Sequence, residues 1–354
     1  MTEKIATIVN GNFTNITETV LGAGFRNERL KVEVSHDYPL GQMLRGAFGY
    51  LFMDMNLKIA DTYEADNHSV IYFRDAIPHH FKDDGIIVPF IADKRFINYK
   101  CEKCGEVLKY ASYKTVINKT RINRNIGGVS QMFREEGIVR KNKFRFKNVL
   151  NLKETLNKNP EYLVDYMSAI EYVKEFGINL GRGHLKGMGK MVFDDIKYHT
   201  ITLKDIKKRS EELANKKVLT LRLMSDTIVN HNGTSVGKVD EKILIGSVKT
   251  AMKFFHPEWG ITGENKLIRN EDSGFINLVN YDTILNRKMS FMDCKITKRQ
   301  RRISTEDIIP RGSMFKYEIS ENMPDGFYEG LAILEMCYGI GKRIEFGKGE
   351  ILIE

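Results

Sequence analysis

Two glycine-rich, cationic stretches constrain this chain more than any other feature. The first is Gly181-Arg182-Gly183-His184-Leu185-Lys186-Gly187-Met188-Gly189-Lys190. The second is Gly339-Ile340-Gly341-Lys342-Arg343-Ile344-Glu345-Phe346-Gly347-Lys348-Gly349. Glycines at this density let a backbone turn sharply and come close to a neighbour, while the cations neutralise an approaching anion. Each stretch stands just before a short strand pattern, Lys190-Met191-Val192-Phe193 in one case and the terminal Ile351-Leu352-Ile353 in the other. The first is not a nucleotide P-loop. Residue 184 is His where the G-x-x-x-x-G-K-[ST] spacing needs Gly, and Met191 follows Lys190. A dinucleotide fingerprint does not fit it either, because a strand and not a helix follows. The shared position in two halves makes a duplicated architecture the expectation.

The periodicities between them agree. Arg29 to Val34 alternates apolar and charged residues, as a half-buried strand does. Pro39 and Gly41 break it, and Gln42 to Asn56 carries Met43, Leu44, Phe48, Leu51, Phe52 and Met55 at helical offsets. Val70 to Phe73 and Ile86 to Ile91 read as strands. Pro160 to Phe176 reads as a helix: Pro160 suits its first turn, Leu163, Met167, Ile170 and Val173 share a face, and Gly177 stops it. Leu203 to Lys217 is highly charged and reads as a connecting helix or linker. Val218 to Val229 then restarts a strand pattern, and Lys238 to Phe255 a helical one. Strand, helix, strands, helix, glycine loop and strand thus occur twice, in pattern and not in residue identity. The expected class is α+β, divided near residue 210 into domains 1–210 and 211–354.

Composition narrows the class. At 354 residues, two domains are the natural expectation. A hydrophobic fraction of 42% supports packed cores and argues against disorder. No run approaches the roughly 18 apolar residues of a membrane-spanning helix, so no membrane is expected. The first twenty residues lack the basic-then-apolar order of a secretory leader. Four cysteines do not make a disulfide framework, and a reducing, cytoplasmic location is the expectation. Lys+Arg 55 against Asp+Glu 46 leaves +9, which makes an anionic partner worth testing.

The cations gather in places that suit a phosphate backbone. Arg121, Asn123 and Arg124 precede Gly127-Gly128. From Arg140 to Lys147, basic residues alternate with Phe144 and Phe146, which on a strand puts charge on one face and core aromatics on the other. Lys295 to Arg302, with Lys298 and Arg299, is either a solvated loop or a polyanion contact. Pro39 to Gly46 feeds a helix N-terminus, whose free N–H groups favour an anion, and Arg45 could add a bidentate contact. Cys101-Glu102-Lys103-Cys104-Gly105 is half of a zinc knuckle. Structural zinc takes four ligands, and His79 and His80 upstream are the candidates to complete it. Catalytic signals are sparse. His36 beside Asp37, and His184 inside the first glycine stretch, are candidate acids or bases for RNA cleavage.

Taken in order, PLGQMLRGAFGYLF, YFRDAIP, CEKCG, TRINRNIGG, MFREEGI, GRGHLKGMGKMVF, IIPRGSMFKYEI and GIGKRIEFGKGEILI resemble the RAMP superfamily of CRISPR RNA-binding proteins. With the cysteine pair in the middle, the order is most similar to the two-domain subunit that caps the crRNA 5′ tag in type III-D effector complexes and their type VII derivatives. The resemblance implies two ferredoxin-like (RRM-like) βαββαβ domains with glycine-rich loops and an inserted C-x-x-C segment. It implies an RNA grip made by the glycine loops and the Gln42-to-Gly46 turn, with Arg45, Arg121, Arg124, Arg182, Lys186, Lys342 and Arg343 as contacts; the placing of charge and glycine adds Gly41, Asn123, His184, Lys298, Arg299 and Lys348 as candidates. The partners it implies are crRNA, backbone RAMP subunits, an effector nuclease and, through the complex, target RNA. Departures exist: Pro39-Leu40-Gly41 stands where the family has Pro-Gly-Ser. Only His36-Asp37 separates strand from turn, where target-cleaving subunits carry a catalytic Asp in a longer loop. The expected function is therefore a non-catalytic crRNA-binding subunit that nucleates assembly. The alternatives are the superfamily's crRNA-processing endoribonuclease, whose terminal loop GIGKRIEFGKG resembles, and a repeating backbone subunit.

Overall fold

The computed structural model describes residues 3–27, 32–63, 70–93, 96–123, 128–182, 187–231, 234–256, 274–285, 287–294, 301–320, 323–324 and 326–354. The first half is built on β1 (Lys4–Asn15), α1 (Gly41–Asp54), β2 (Ile71–Phe73), β3 (Lys143–Asn151), α2 (Glu161–Phe176) and β4 (Lys190–Thr202). β1 is central. It pairs antiparallel with β3, from Ala6 opposite Asn151 to Thr14 opposite Lys143, and on its other edge with β4. β2 adds outside β3, giving the order β2-β3-β1-β4.

The alternation expected around Phe144 and Phe146 is present: both rings are buried while Arg145 between them is exposed. Their rings meet Phe13 and Phe193 from the neighbouring strands, with centroids 5.0 to 6.2 Å apart. α1 contributes Phe48, 5.3 Å from Phe73 and 6.3 Å from Tyr166 of α2. Aromatic pairs at such separations add to the burial of their area. Gly177 ends α2 with φ +71, as its position predicts.

α3 (Leu203–Ala214) links the halves and starts on a capping box in which Thr202 and Asp205 satisfy each other's backbone N–H. The second half contains β5 (Val218–Leu223), α4 (Glu241–Phe255), β6 (Ile276–Asp282), β7 (Met314–Ile319), α5 (Phe327–Ile333) and β8 (Ile351–Ile353). Its sheet runs β6-β7-β5-β8, all antiparallel. Both sheets therefore place their strands in the order second, third, first, fourth. The halves also share a core. Ile5, Ala6, Tyr72 and Val149 pack in one cluster with Leu221, Phe255 and Phe315, and the Tyr72 ring lies 5.7 Å from Phe255.

One expectation needs correction. The alternating segment expected over 29–34 is not the first strand of the repeated unit. Its described part, Val32–Ser35, belongs to a side sheet with Gly22–Asn27, Gly128–Ile138 and Lys114–Asn123. The true first strand, β1, escapes a period-two reading because the adjacent pairs Ile5-Ala6 and Ile8-Val9 are both buried; its pairing with β4 also shifts register, between Lys4 and Ala6 and between Asn10 and Asn12. The cysteine-pair insertion forms a third small sheet of Ile87–Asp93, Phe96–Cys101 and Val107–Leu108. Among the described residues no helix is long and apolar enough to cross a membrane.

Candidate nucleic-acid interface and metal centre

The two glycine loops are copies of one structure. Leu180 N–H donates to Gly189 O at 2.9 Å, and Ile340 N–H to Gly349 O at 2.8 Å. Arg182 N–H reaches Val20 O at 2.9 Å, and Lys342 N–H reaches Ile228 O at 2.8 Å. Gly189 N–H donates to Glu18 O, and Gly349 N–H to Asp226 O. Lys190 N–H meets Thr17 Oγ1 at 3.0 Å, and Glu350 N–H meets Ser225 Oγ at 2.9 Å. Each loop thus docks on a matching strip, Thr17-Glu18-Thr19-Val20-Leu21 or Ser225-Asp226-Thr227-Ile228-Val229. Each strip bridges on its other side to a second pair of matching segments, Thr19 to Ile138 and Thr227 to Ile309. The repeat therefore extends to residue identity, contrary to the expectation of pattern alone. The signal that would have found it is G-x-x-x-x-x-G-x-G at Gly181, Gly187, Gly189 and again at Gly341, Gly347, Gly349. All six have positive φ, between +74° and +92°, where a glycine backbone is favoured.

The copies face different surroundings. In the first, Arg182 is exposed, with Nη1 2.7 Å from Glu33 Oε2; His184 and Lys186 lie outside the described residues. The second turns its tip inward, onto α1. Gly347 packs against Gly41, the Arg45 guanidinium stands 5.1 Å from the Phe346 ring, and Arg343 Nε donates to Glu306 Oε1 at 2.8 Å. The Gln42–Gly46 turn and the second loop, far apart in sequence, are brought together here. Lys342 stays exposed and Gln42 half-buried. Beside Lys342 runs a groove of about 340 Å³ lined by Asn230, Lys242, Ser247, Thr250 and Tyr338. Of the remaining candidates, Arg121 and Asn123 stand on the strand Lys114–Asn123 of the side sheet, and Arg124, Lys298 and Arg299 lie outside the described residues.

Two expected RNA contacts are interior. Lys348 is wholly buried, its Nζ 3.7 Å from Asp75 Oδ2. Gly41 is buried too, and its N–H, a free donor at the start of α1, is taken by Asp75 Oδ1 at 2.7 Å. The anion expected at this helix N-terminus is thus the protein's own carboxylate. The seam holds further buried charge. Arg74 donates from Nη2 to the Cys337 and Tyr338 carbonyls at 2.8 and 2.6 Å. Arg311 pairs with Asp226, Nη2 to Oδ2 at 3.0 Å, and lies over the Tyr38 ring at 4.4 Å. Burial pushes Asp75 up to about 6, against the pull of Lys348. Burial, followed by the Arg311 charge, pulls His36 down to about 3.

The cysteine pair lies on the insertion. Gly105 N–H donates to Cys101 O at 2.9 Å, and Gly105 takes φ +76. That turn brings Cys104 back beside Cys101. His80 Nδ1 lies 3.5 Å from Cys104 Sγ and 3.1 Å from Asp83 Oδ1. Cys101 Sγ is 3.4 Å from the same carboxylate oxygen. The four donor atoms lie within 4.8 Å of one another and could hold a metal ion. His79, expected as a ligand, points elsewhere: its Nδ1 is 2.8 Å from Asp84 O and its Nε2 3.0 Å from Asn12 Oδ1. Successive residues in extended backbone face opposite sides, so two adjacent histidines there do not serve one ion. Asp83 takes the place expected of His79, and its sequence signal is H-x-x-D, His80 to Asp83, ahead of C-x-x-C.

No protein-family model and no curated protein matches the sequence. Among solved structures the chain is similar to a Cas6 product complex, with a TM-score of 0.51 and 9% identity, over 99% of this chain and 100% of that one. A Cas6 from Thermus thermophilus gives 0.46 at 8% identity, over 99% of each chain. The type III-B Cmr-beta complex bound to cognate target RNA gives 0.34 at 12% identity, over 55% of this chain and 61% of that one. The first likeness shows a fold shared along the whole of both chains.

Proposed function

We propose that this chain is a CRISPR RNA-binding subunit that grips the 5′ tag of a crRNA and nucleates assembly of an effector ribonucleoprotein. We take the two strand–helix units as ferredoxin-like domains, 1–210 and 211–354, whose first-strand and glycine-loop edges form the grip. The observation that carries this reading is the duplicated glycine loop, with Arg182 exposed at one copy and Lys342 at the other. Exposed cations carried on two glycine loops suit splayed single-stranded RNA, which is held by shape and charge. Three phosphate contacts would give a salt slope of about −2, or roughly a twentyfold loss of affinity between 50 and 200 mM salt. Filter binding of crRNA across that range tests this, and a flat profile sinks the electrostatic grip.

The second reading is a crRNA-processing endoribonuclease. The end-to-end fold shared with Cas6 favours it. Against it stands His36, whose ring is held neutral down to about pH 3 by desolvation and by Arg311, which makes it a weak proton carrier near neutral pH. Incubating the protein with repeat RNA separates the two. Site-specific, metal-independent cleavage lost in His184→Ala selects the enzyme.

The metal group is best read as a zinc site. Two thiolates, an imidazole and a carboxylate are four ligands of the kind that structural zinc takes. Cys101→Ser should lose bound zinc by elemental analysis, whereas His79→Ala should keep it. Equal zinc in Cys101→Ser and the parent rejects the assignment.

A further inference from the structure

We propose that the insertion carries a second RNA contact, an aromatic pocket that stacks one unpaired base. This rests on the RNA-binding reading above. Beside the candidate metal centre lies a cavity of about 380 Å³, within the range of small-ligand pockets, roughly 300–1,000 Å³. Its walls include Phe81, Tyr110 and Tyr113, which are 62%, 69% and 51% exposed. Phe81 and Tyr113 stand edge to face, with centroids 5.3 Å apart at 76°. Three large aromatics left open around one hollow mark a binding surface more than a core defect.

The frame is held. Phe81 directly follows His80, and Tyr113 N–H meets Asn142 Oδ1 at 3.4 Å while its carbonyl accepts from Val139 N–H at 3.0 Å. Lys109 lines the cavity, is exposed and has no ion-pair partner among the described residues, and Arg140 and Lys141, exposed as well, immediately precede the lining residue Asn142. The acid on the lining, Glu136, is already paired with Lys114 at 3.0 Å. Aromatic walls with exposed Lys109 on the lining, and Arg140 and Lys141 next to Asn142 in the chain, suit a nucleobase with its flanking phosphates better than an apolar peptide. The pocket also continues the first glycine loop. Val20 bonds to Arg182 of that loop, Thr19 bonds to Ile138 and Asn15 to Val139, Lys141 and Asn142, and the 138–142 segment so held carries Arg140 and bonds to Tyr113.

Full-length protein is mixed with single-stranded RNA bearing 5-iodouridine at successive positions, irradiated, and its crosslinks are mapped by mass spectrometry. One position should crosslink to Phe81, Tyr110 or Tyr113. Tyr113→Ala should weaken RNA binding by roughly 5- to 150-fold, the range for one lost base–aromatic stack. Tyr113→Trp should restore it, and Arg182→Ala should weaken binding without moving the crosslink. Crosslinks confined to other residues, or Phe81→Ala and Tyr113→Ala proteins that bind RNA like the parent, overturn the pocket while leaving the loop grip intact. A parent that binds no RNA overturns both. The crosslink map uses the parent, so it stands even where a variant does not fold.

Discussion

Replacing Gly349 with alanine should destabilise the protein by more than about 3 kcal/mol, the largest loss expected from one added methyl group. Two effects combine. Gly349 sits at φ +74, where an L-residue is strained by about 1–2 kcal/mol. Its new Cβ would also drive into the Ile340 carbonyl oxygen of the same loop, which the bond from Ile340 N–H to Gly349 O holds close. Gly189→Ala should behave alike, since its Cβ would meet the Leu180 carbonyl oxygen in the first loop. Gly187→Ala is the control. It has φ +75 but open space around the Cβ position, so only the strain of about 1–2 kcal/mol should appear. Urea midpoints of the three variants decide the matter. Equal losses at Gly349 and Gly187 would show that the close approach contributes nothing.

The second large effect lies in the seam. Asp75→Ala should cost about 3–5 kcal/mol, because it strands the fully buried Lys348 ammonium and frees the Gly41 N–H. The double variant Asp75→Asn/Lys348→Met should lose far less than the two single losses combined. A buried pair is expensive to desolvate, and half a pair is worse. The sign of the pH dependence follows from Asp75. Its folded value is raised to about 6 from an ordinary value near 4. Its proton is therefore held more tightly in the folded state. The stability this group contributes is present below pH 4 and is lost as the pH rises toward 6. The parent should fall relative to the double variant over that interval. Parallel stability curves from pH 4 to 7 would refute the raised value, and additive single losses would refute the pairing.

What could be read without coordinates was what depends on short-range period. α2 was legible because Leu163, Ile170 and Val173 repeat at helical spacing between Pro160 and Gly177. β3 was legible because Phe144 and Phe146 alternate with Arg145. β1 was not: in its first half the adjacent pairs Ile5-Ala6 and Ile8-Val9 are buried on both faces, and burial alternates only from Val9 onward. Lys348 and Gly41 looked like surface RNA contacts because composition cannot tell which end of a cationic loop turns inward. That depends on Asp75, which is distant in sequence from Lys348 and takes the Gly41 N–H as well. Asp83 was missed for a related reason, since a single carboxylate carries no signal until the knuckle folds back on it. The choice between His79 and His80 was a question of strand facing, which the extended backbone around residue 79 decides.

The central place of β1 bears on how the protein is made. Its partners are residues 143–151 and 190–202, so a chain growing from its N-terminus carries Ile5, Ile8, Val9 and Phe13 unpaired until most of the first half has left the ribosome. Closing such long loops must precede any gain from the pairing, which makes sheets of this kind slow to form and prone to wrong partners meanwhile. The second half repeats the problem on a smaller scale, with β5 waiting for β7 and β8. Strands that wait this long for their partners gain from being kept apart from other chains until the sheets close.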